Sequence, residues 1–593
     1  MESQIQQIQT NTTNQQTPYT APNNQIKPQT QRPKIHKVNG LRIIPLGGME
    51  EVGRNMTVFE YDKDIIILDM GIQFPEEDMP GIDYIIPNIS YLKGKEKNIR
   101  AVILSHGHLD HVGAAPLLLP KLGYPPVIGR DLTIAIAKKR MEEFEKNSSK
   151  RMDIIKINSI NDKFNLGKFK VSFFNIEHSI LDAVGVIINT PHGTIIHPGD
   201  WTMDRDLHDG KTLTYNHLAT LPKPKILMLE SLGSTDNSPI VPSEQEMFDN
   251  LERLIQTATG KVIIGTFSSQ IKRVGHLLEF AKKIGKKVAL DGYSMKTNVE
   301  IAKELGYIKV DKETMIPINK IKDYPDEKVI IICTGAQGEG NAVLSRIING
   351  DHKFIKIRKN DTVIFSSSVI PGNERTIQKL KDSLYRRCDN VIHNDIMDVH
   401  TSGHSSAISI KEIIRQIQPD YFLPVYANHY FLKEAAKLAV GVGIPKDKIF
   451  VLDNGSTIEF NNGTAKLLNK KIDTSYVFVD GLGIGDVGEV VLRDRQTLSQ
   501  DGMFVIIVAV DRTTGKVKSS PDIISRGFVY LRESQELLKE TRKRVVDIVE
   551  KSTKDGKAVN WTYIKDEIRK KVGEFLFSKT ERRPMVLPVV VEI

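Results

Sequence analysis

The chain has 593 residues, a net charge of +9 and 26% charged residues, a profile of several ordinary globular domains rather than one core or a polyelectrolyte. Its two cysteines, Cys333 and Cys388, lie far apart and in no CxxC pattern, which excludes a disulfide framework and a cysteine-based zinc site. No apolar run approaches the roughly 18 residues of a membrane span, and Met1-Glu2-Ser3-Gln4 has neither the basic start nor the apolar core of a secretory signal, so a cytoplasmic protein without a membrane partner is expected.

Residues 1–37 are rich in Gln, Asn, Thr and Pro. Such a segment buries too little apolar surface to offset the entropy of ordering, and a disordered tail is expected. From Leu41 short β-rich runs recur: Leu41–Leu46, Met56–Tyr61, Ile65–Asp69, Ala101–Leu104, Lys170–Phe174, Val184–Asn189, Thr194–His197 and Ile226–Leu229. A helical pattern at Leu132–Glu145 lies among them, so residues 38–233 read as helices packed on sheets. Over 234–370 the rhythm becomes β-α: helix Glu244–Thr257, strand Lys261–Gly265, helix Arg273–Ile284, strand Lys287–Leu290, helix Lys296–Leu305 and strand Val329–Cys333. This predicts a small parallel-sheet domain inserted into the first. Residues 371–465 return to the pattern of 38–233. A last α+β unit, 475–593, begins Gly-rich and carries strands Phe504–Val510 and Phe528–Leu531, helix Ser534–Lys551, a helix near Trp561–Val572 and strand Met585–Glu592.

The chemistry concentrates in His106-Gly107-His108-Leu109-Asp110-His111, directly after the apolar run Ala101–Leu104. That places three imidazoles and a carboxylate on a loop at the carboxyl end of a buried strand, opening a helix expected at Val112–Leu119. Imidazole and carboxylate are the usual ligands of zinc or manganese, and the spacing can serve two separate ions. A site of this kind needs distal ligands. His178, in Glu177-His178-Ser179, and Asp200, in His197-Pro198-Gly199-Asp200, each follow a predicted strand.

With His178 and Asp200 following it, the run HGHLDH resembles the metallo-β-lactamase fold, an αββα sandwich, and the insertion resembles its nucleic-acid-acting β-CASP group. The chain is similar throughout 41–593 to ribonuclease J: Leu46-Gly47-Gly48-Met49-Glu50-Glu51-Val52-Gly53, Thr334-Gly335-Ala336-Gln337-Gly338-Glu339, Ile370-Pro371-Gly372-Asn373-Glu374, His400-Thr401-Ser402-Gly403-His404, Ser525-Arg526-Gly527-Phe528-Val529-Tyr530 and Arg582-Arg583-Pro584-Met585 carry the resemblance. It implies two divalent ions (zinc, with manganese or magnesium as alternatives). His106, His108, His178 and Asp200 would hold one, and Asp110, His111, the shared Asp200 and a later histidine the other. Two ions roughly 3.5–4 Å apart can stabilise the attacking and leaving oxygens of a phosphodiester together. Asp69 would orient a ligand histidine.

The last ligand departs from the family. Where its His-Gly-Glu is expected, this chain has Tyr426-Ala427-Asn428-His429. Either His429 reaches back, or the second ion has fewer protein ligands, or it is weakly held or missing. The resemblance makes His400, Thr401, Ser402, Gly403 and His404 a loop on the RNA phosphate, with His404 protonating the leaving oxygen and Glu230 an acidic partner at the insertion junction. Asp110, His404 and Glu230 form the implied catalytic set. Ser366, Ser367, Ser368, Gly335 and Gln337 would cradle a 5′-monophosphate, and Asp453 matches a position that holds structural calcium in some relatives. The implied activity is 5′-to-3′ exonuclease and endonuclease action on RNA, in RNA turnover and rRNA or mRNA maturation, by a homodimer or homotetramer. Two rivals stand beside it: a hydrolase of a small ester, and an RNA-binding subunit that has lost catalysis.

Overall fold

The computed structural model describes residues 38–76, 78–203, 213–238, 243–338, 342–370, 373–553 and 560–593. The expected tail, Glu339, and Pro371 and Gly372 lie outside the described residues.

Two sheets stack face to face. The first has eight strands in the spatial order Thr464–Leu468, Thr457–Asn461, Val38–Gly47, Met56–Asp62, Asp64–Leu68, Ile99–Ile103, Val127–Gly129 and Ile154–Lys156. The second has six: Tyr421–Val425, Lys225–Glu230, Gly193–His197, Val184–Thr190, Phe169–Asn175 and Lys163–Leu166. Alternation explains why the central strands read as unbroken apolar runs. In Asp64–Leu68, Ile66 and Leu68 face the second sheet, while Ile65 and Ile67 face the outer layer that holds the helix Asp131–Phe144. Successive strand residues point to opposite faces, so a strand covered on both sides needs apolar residues at every position. Helices Ala407–Ile417 and His429–Gly441 cover the outer face of the second sheet through Ile410, Ile413, Ile414, Ala435 and Ala439. The layers are therefore αββα.

A third sheet is wholly parallel, in the order Lys287–Asp291, Val329–Cys333, Val262–Thr266, Thr362–Ser366 and Asn390–Ile392. It extends past residue 370, where the insertion was expected to end: helix Glu374–Tyr385 and strand Asn390–Ile392 continue its β-α rhythm. The turn at residues 369–373 hid that continuation in the sequence.

The last unit is a three-stranded sheet, Asp522–Arg526, Met503–Val510 and Met585–Glu592, backed by helices Gln535–Thr553 and Trp561–Thr580. The strand expected at Phe528–Leu531 is instead Asp522–Arg526. Gly527, at φ +70°, ends that strand, and Phe528 folds into the core with its ring 5.8 Å from that of Phe504. The Gly-rich stretch before this unit belongs elsewhere in space, since Val477–Asp480 pairs with Tyr84–Ile86. The helix expected at Val112–Leu119 is two four-residue helices, Leu109–Val112 and Ala115–Leu118, so Asp110 and His111 lie inside a helical turn rather than before it.

Candidate metal centre and substrate loop

Both sheets of the sandwich deliver chemistry at one edge. Ile99–Ile103 runs parallel to Asp64–Leu68, so the His106–His111 segment and Asp69 emerge at the same end. Four strands of the second sheet point the same way, through the antiparallel pairs either side of Val184–Thr190 and the parallel pairs beyond. His178 follows Phe169–Asn175, Asp200 follows Gly193–His197, Glu230 ends Lys225–Glu230, and Tyr426 follows Tyr421–Val425.

The first donor set is complete. One ligand atom from each of His106, His108, His178 and Asp200 lies within 4.8 Å of all the others. His108 Nδ1 is 3.1 Å from His106 Nε2 and 3.0 Å from His178 Nε2. With their other nitrogens engaged, His106 Nε2 and His178 Nε2 present lone pairs toward His108 Nδ1, so the three rings converge on one point that a cation could occupy. Burial, with the neighbouring imidazoles, holds His106 well below its ordinary pKa. Burial also brings His108 down to about 4 and His178 to about 3, so their lone pairs stay available at neutral pH. The outward nitrogens are anchored: His178 Nδ1 donates to Gly403 O at 2.7 Å, and His106 Nδ1 lies 3.0 Å from Ser105 Oγ. Such partners fix ring orientation and which nitrogen faces the ion. Four borderline donors in this arrangement fit zinc or manganese.

The second set is Asp110, His111 and Asp200, with His111 Nε2 3.4 Å from a carboxylate oxygen of each aspartate. Asp69 accepts from His111 Nδ1 at 2.8 Å, and also from Ser105 N at 2.8 Å and Ser105 Oγ at 2.9 Å. It does so from a left-handed backbone, φ +61°. Burial opposes charge on His111, but Asp200, Asp110 and Asp69 outweigh it and raise the pKa well above the ordinary value. The Asn55 amide nitrogen sits 2.9 Å from His111 Nε2 and 3.4 Å from Asp110 Oδ2. The raised His111 pKa reflects the three carboxylates gathered around its buried ring. This set therefore also fits a divalent ion, with one protein donor fewer.

The expected donor His429 is not there. It starts the helix His429–Gly441, and its Nδ1 lies 3.8 Å from Glu50 Oε1 and 3.9 Å from Asp453 Oδ1, half-exposed, in a separate cluster. The physical reason is direction. Tyr426, at φ +60°, ends the strand and turns its ring inward, 5.3 Å from the His111 ring and 5.0 Å from that of His197, and three residues later the chain has entered a surface helix.

Beside the first set runs the loop His400–His404. Gly403 passes so close to His178 that a Cβ there would lie 2.7 Å from Ser179 Oγ and 3.1 Å from His178 Cε1. The His404 ring is 5.7 Å from that of His178, and its Nδ1 is 3.7 Å from the buried Glu230. Burial lowers the proton affinity of His404, but Glu230 and then Asp200 and Asp110 outweigh it, to about 9. Glu230 is thus the main group holding a proton on His404 at neutral pH. Thr401 is half-buried and Ser402 exposed, its hydroxyl accepting from His404 N at 3.1 Å.

The proposed phosphate cradle divides. Ser367 and Ser368 line a cavity of 210 Å³ with Ala336, Lys381 and His393. Ser366 does not: its hydroxyl is buried and donates to Val399 O at 2.7 Å. The Gln337 amide is spent internally, donating to Ser368 O at 2.6 Å and accepting from Ile370 N at 2.9 Å, so it clasps two loops together. Gly335 turns at φ +105°, and a Cβ there would lie 2.7 Å from Ala342 Cβ.

Family models match three stretches: "Metallo-beta-lactamase superfamily" over 49–221, "Ribonuclease J, beta-CASP domain" over 259–384 and "Ribonuclease J C-terminal domain" over 490–593. Ribonuclease J 1 of Streptococcus pyogenes serotype M3 is 36% identical over 93% of this chain and 98% of its own. Ribonuclease J2 of Bacillus subtilis is 35% identical over 94% and 100%, and Ribonuclease J 2 of Staphylococcus aureus (strain MRSA252) 36% over 94% and 99%. This chain belongs to the ribonuclease J family. Motif reading within that family does not single out Asn55, Ser105 or His197 as parts of the site. Asn55 lies two residues beyond the Leu46–Gly53 motif, and His197 was visible only as the start of the run that ends in Asp200. His197 Nδ1 accepts from Gly199 N at 2.8 Å, which shapes the turn that aims Asp200.

Proposed function

We propose that this ribonuclease J-family chain is a metal-dependent ribonuclease that degrades RNA from a 5′-monophosphate end and also cleaves internally, in RNA turnover and rRNA or mRNA maturation. The observation that carries the reading is the 2.7 Å bond from His178 Nδ1 to Gly403 O. It ties a metal-ligating ring to the loop that would hold the RNA phosphate. The four-donor set suits zinc, and the three-donor set suits a second divalent ion. Divalent ions there would supply Lewis-acid polarisation of the phosphodiester and activation of water. Asp110, Asp200 and the imidazoles hold the charge that makes this possible. The His400–His404 loop orients the scissile phosphate. His404, protonated at neutral pH and backed by Glu230, donates from Nε2 to the leaving 3′-oxygen. Ser367 and Ser368, in a cavity with Lys381 and His393, favour a terminal phosphate.

The protein is proposed to be cytoplasmic; no described helix is long and apolar enough to cross a membrane. It is also proposed to be a homodimer or homotetramer assembled through its last unit. The outer face of that sheet is apolar and open: Val505 pairs with Ile524 and Leu587, and Ile507 with Val589. Ile524, Leu587 and Val589 are 36%, 38% and 43% exposed.

Cleavage of 5′-monophosphorylated and 5′-triphosphorylated RNA by wild type and Asp110→Ala tests the reading. Wild type is expected to prefer the monophosphate, and Asp110→Ala to lose roughly a hundredfold or more in kcat/KM. Equal cleavage by Asp110→Ala would overturn the metal mechanism. A second reading, an RNA-binding subunit without turnover, draws on the three-donor second set beside Tyr426. RNA binding with no cleavage by metal-loaded wild type would favour it.

A further inference from the structure

Arg273, in the helix Ile271–Lys283, is only 2% exposed, yet it forms no ion pair with a carboxylate among the described residues. A buried cation without a counter-charge is costly. Its Nη1 is spent on the end of strand Thr362–Ser366 and on the His400–His404 loop, 2.8 Å from Ser366 O, 3.0 Å from Ser366 Oγ and 2.9 Å from His400 Nδ1. Burial pulls the guanidinium down to about 10, so it remains charged at neutral pH.

The hydrogen-bond roles in this cluster admit one assignment. Ser366 Oγ uses its hydrogen on Val399 O at 2.7 Å and can only accept from Arg273. A guanidinium has donors and no acceptor. His400 Nδ1, at 2.9 Å, must therefore present its lone pair, and the single proton of the neutral ring is on Nε2. That nitrogen is buried and has no hydrogen-bond partner among the described residues. The rest of the residue is held: His400 N donates to Asn394 Oδ1 at 3.1 Å, and the Phe267 ring stands 6.3 Å away at its edge.

We propose that Arg273 is a positioning residue: it locks His400 as the Nε2–H tautomer, so that the ring offers a fixed, uncharged donor to a non-bridging phosphate oxygen of bound RNA. The inference rests on the reading that residues 400–404 contact RNA phosphate. The charged or titratable groups around His400 are Arg273 from its helix and His404 on the same loop, with Glu244 behind Arg273. Burial first, then Arg273 and His404, keep the His400 ring from charging. The loop thus carries two histidines with separate tasks. His400 is a neutral donor that binds, and His404 is the proton donor of the proposed function.

The test combines imidazole 15N spectra of histidine-labelled, zinc-loaded full chain, assigned with His400→Gln, and steady-state kinetics on 5′-monophosphorylated RNA. In wild type, His400 is expected as the Nε2–H tautomer with no titration between about pH 5.5 and 8. In Arg273→Met the Nδ1–H tautomer becomes populated beside the Nε2–H form, and KM rises roughly tenfold while kcat changes less. Arg273→Lys, which restores a donor-only cation, recovers most of the loss. A wild-type ring protonated at Nδ1, or charged at neutral pH, overturns the assignment, and this spectrum needs no variant to fold. So does an unchanged KM in a folded Arg273→Met. If instead His400→Gln leaves KM unaltered while the tautomer is as expected, the fault lies in the RNA-contact reading of the loop rather than in the lock.

Discussion

Tyr426 stands where a fourth donor to Asp110, His111 and Asp200 would have to come from, its ring buried against His111. A phenol with burial and three nearby aspartates against it is raised well above its ordinary pKa and stays neutral. It is a poor ligand compared with an imidazole. One tightly held ion and one weaker ion per chain are therefore expected, by metal analysis after exhaustive dialysis. Tyr426→His is expected to approach two, and two equally retained ions in wild type would refute the asymmetry. The Glu230–His404 pair gives a second expectation. Its raised histidine pKa means the proton donor is present below about pH 9 and is lost as pH rises through that value. Glu230→Gln removes the largest raising influence, so the alkaline limb of the kcat profile should move to lower pH. A limb that stays in place would mean another group sets it.

Strand ends account for most of the site, and that is why so much of it is legible in the sequence. The chain announces strands by apolar runs, and a polar residue directly after such a run is placed at the sheet edge; His106, His178 and Asp200 all follow that logic. What escapes it depends on through-space contacts without periodicity. Asn55 and Arg273 reach the site from a loop and a helix whose sequences read as ordinary, and His429 fails because a helix start carries it away from the pocket. The insertion's last helix and strand are hidden because a turn at residues 369–373 breaks the β-α rhythm. At this scale Gly403 is the sharpest constraint. Gly403→Ala would push on Ser179 and His178, and it should weaken retention of the first ion by roughly tenfold in chelator competition. Gly488→Ala, whose Cβ would meet nothing within 4 Å, should bind metal as wild type does. Equal retention by both variants would show that the loop yields without moving the ligand.

For the whole molecule, the open apolar sheet of the last unit is the proposed assembly face. Val589→Lys, facing solvent on that sheet, should shift sedimentation toward monomer while leaving the far-UV spectrum intact, because the substitution adds charge outside the core. Unchanged sedimentation would place the subunit contact elsewhere. The sandwich has a different consequence. Its second sheet needs Tyr421–Val425 beside Lys225–Glu230, and its first needs Thr457–Asn461 beside Val38–Gly47. The parallel insert, by contrast, draws its sheet and one face of its core from residues 262–392 alone. As the chain leaves the ribosome the insert can close first, while the strands made before it wait, two edges unpaired, for partners synthesised much later. The metal ligands are all in hand long before the sheets that aim them are complete. Nascent chains halted before Tyr421 would then carry every donor of the first set and still lack the strand that completes the second sheet beside Lys225–Glu230.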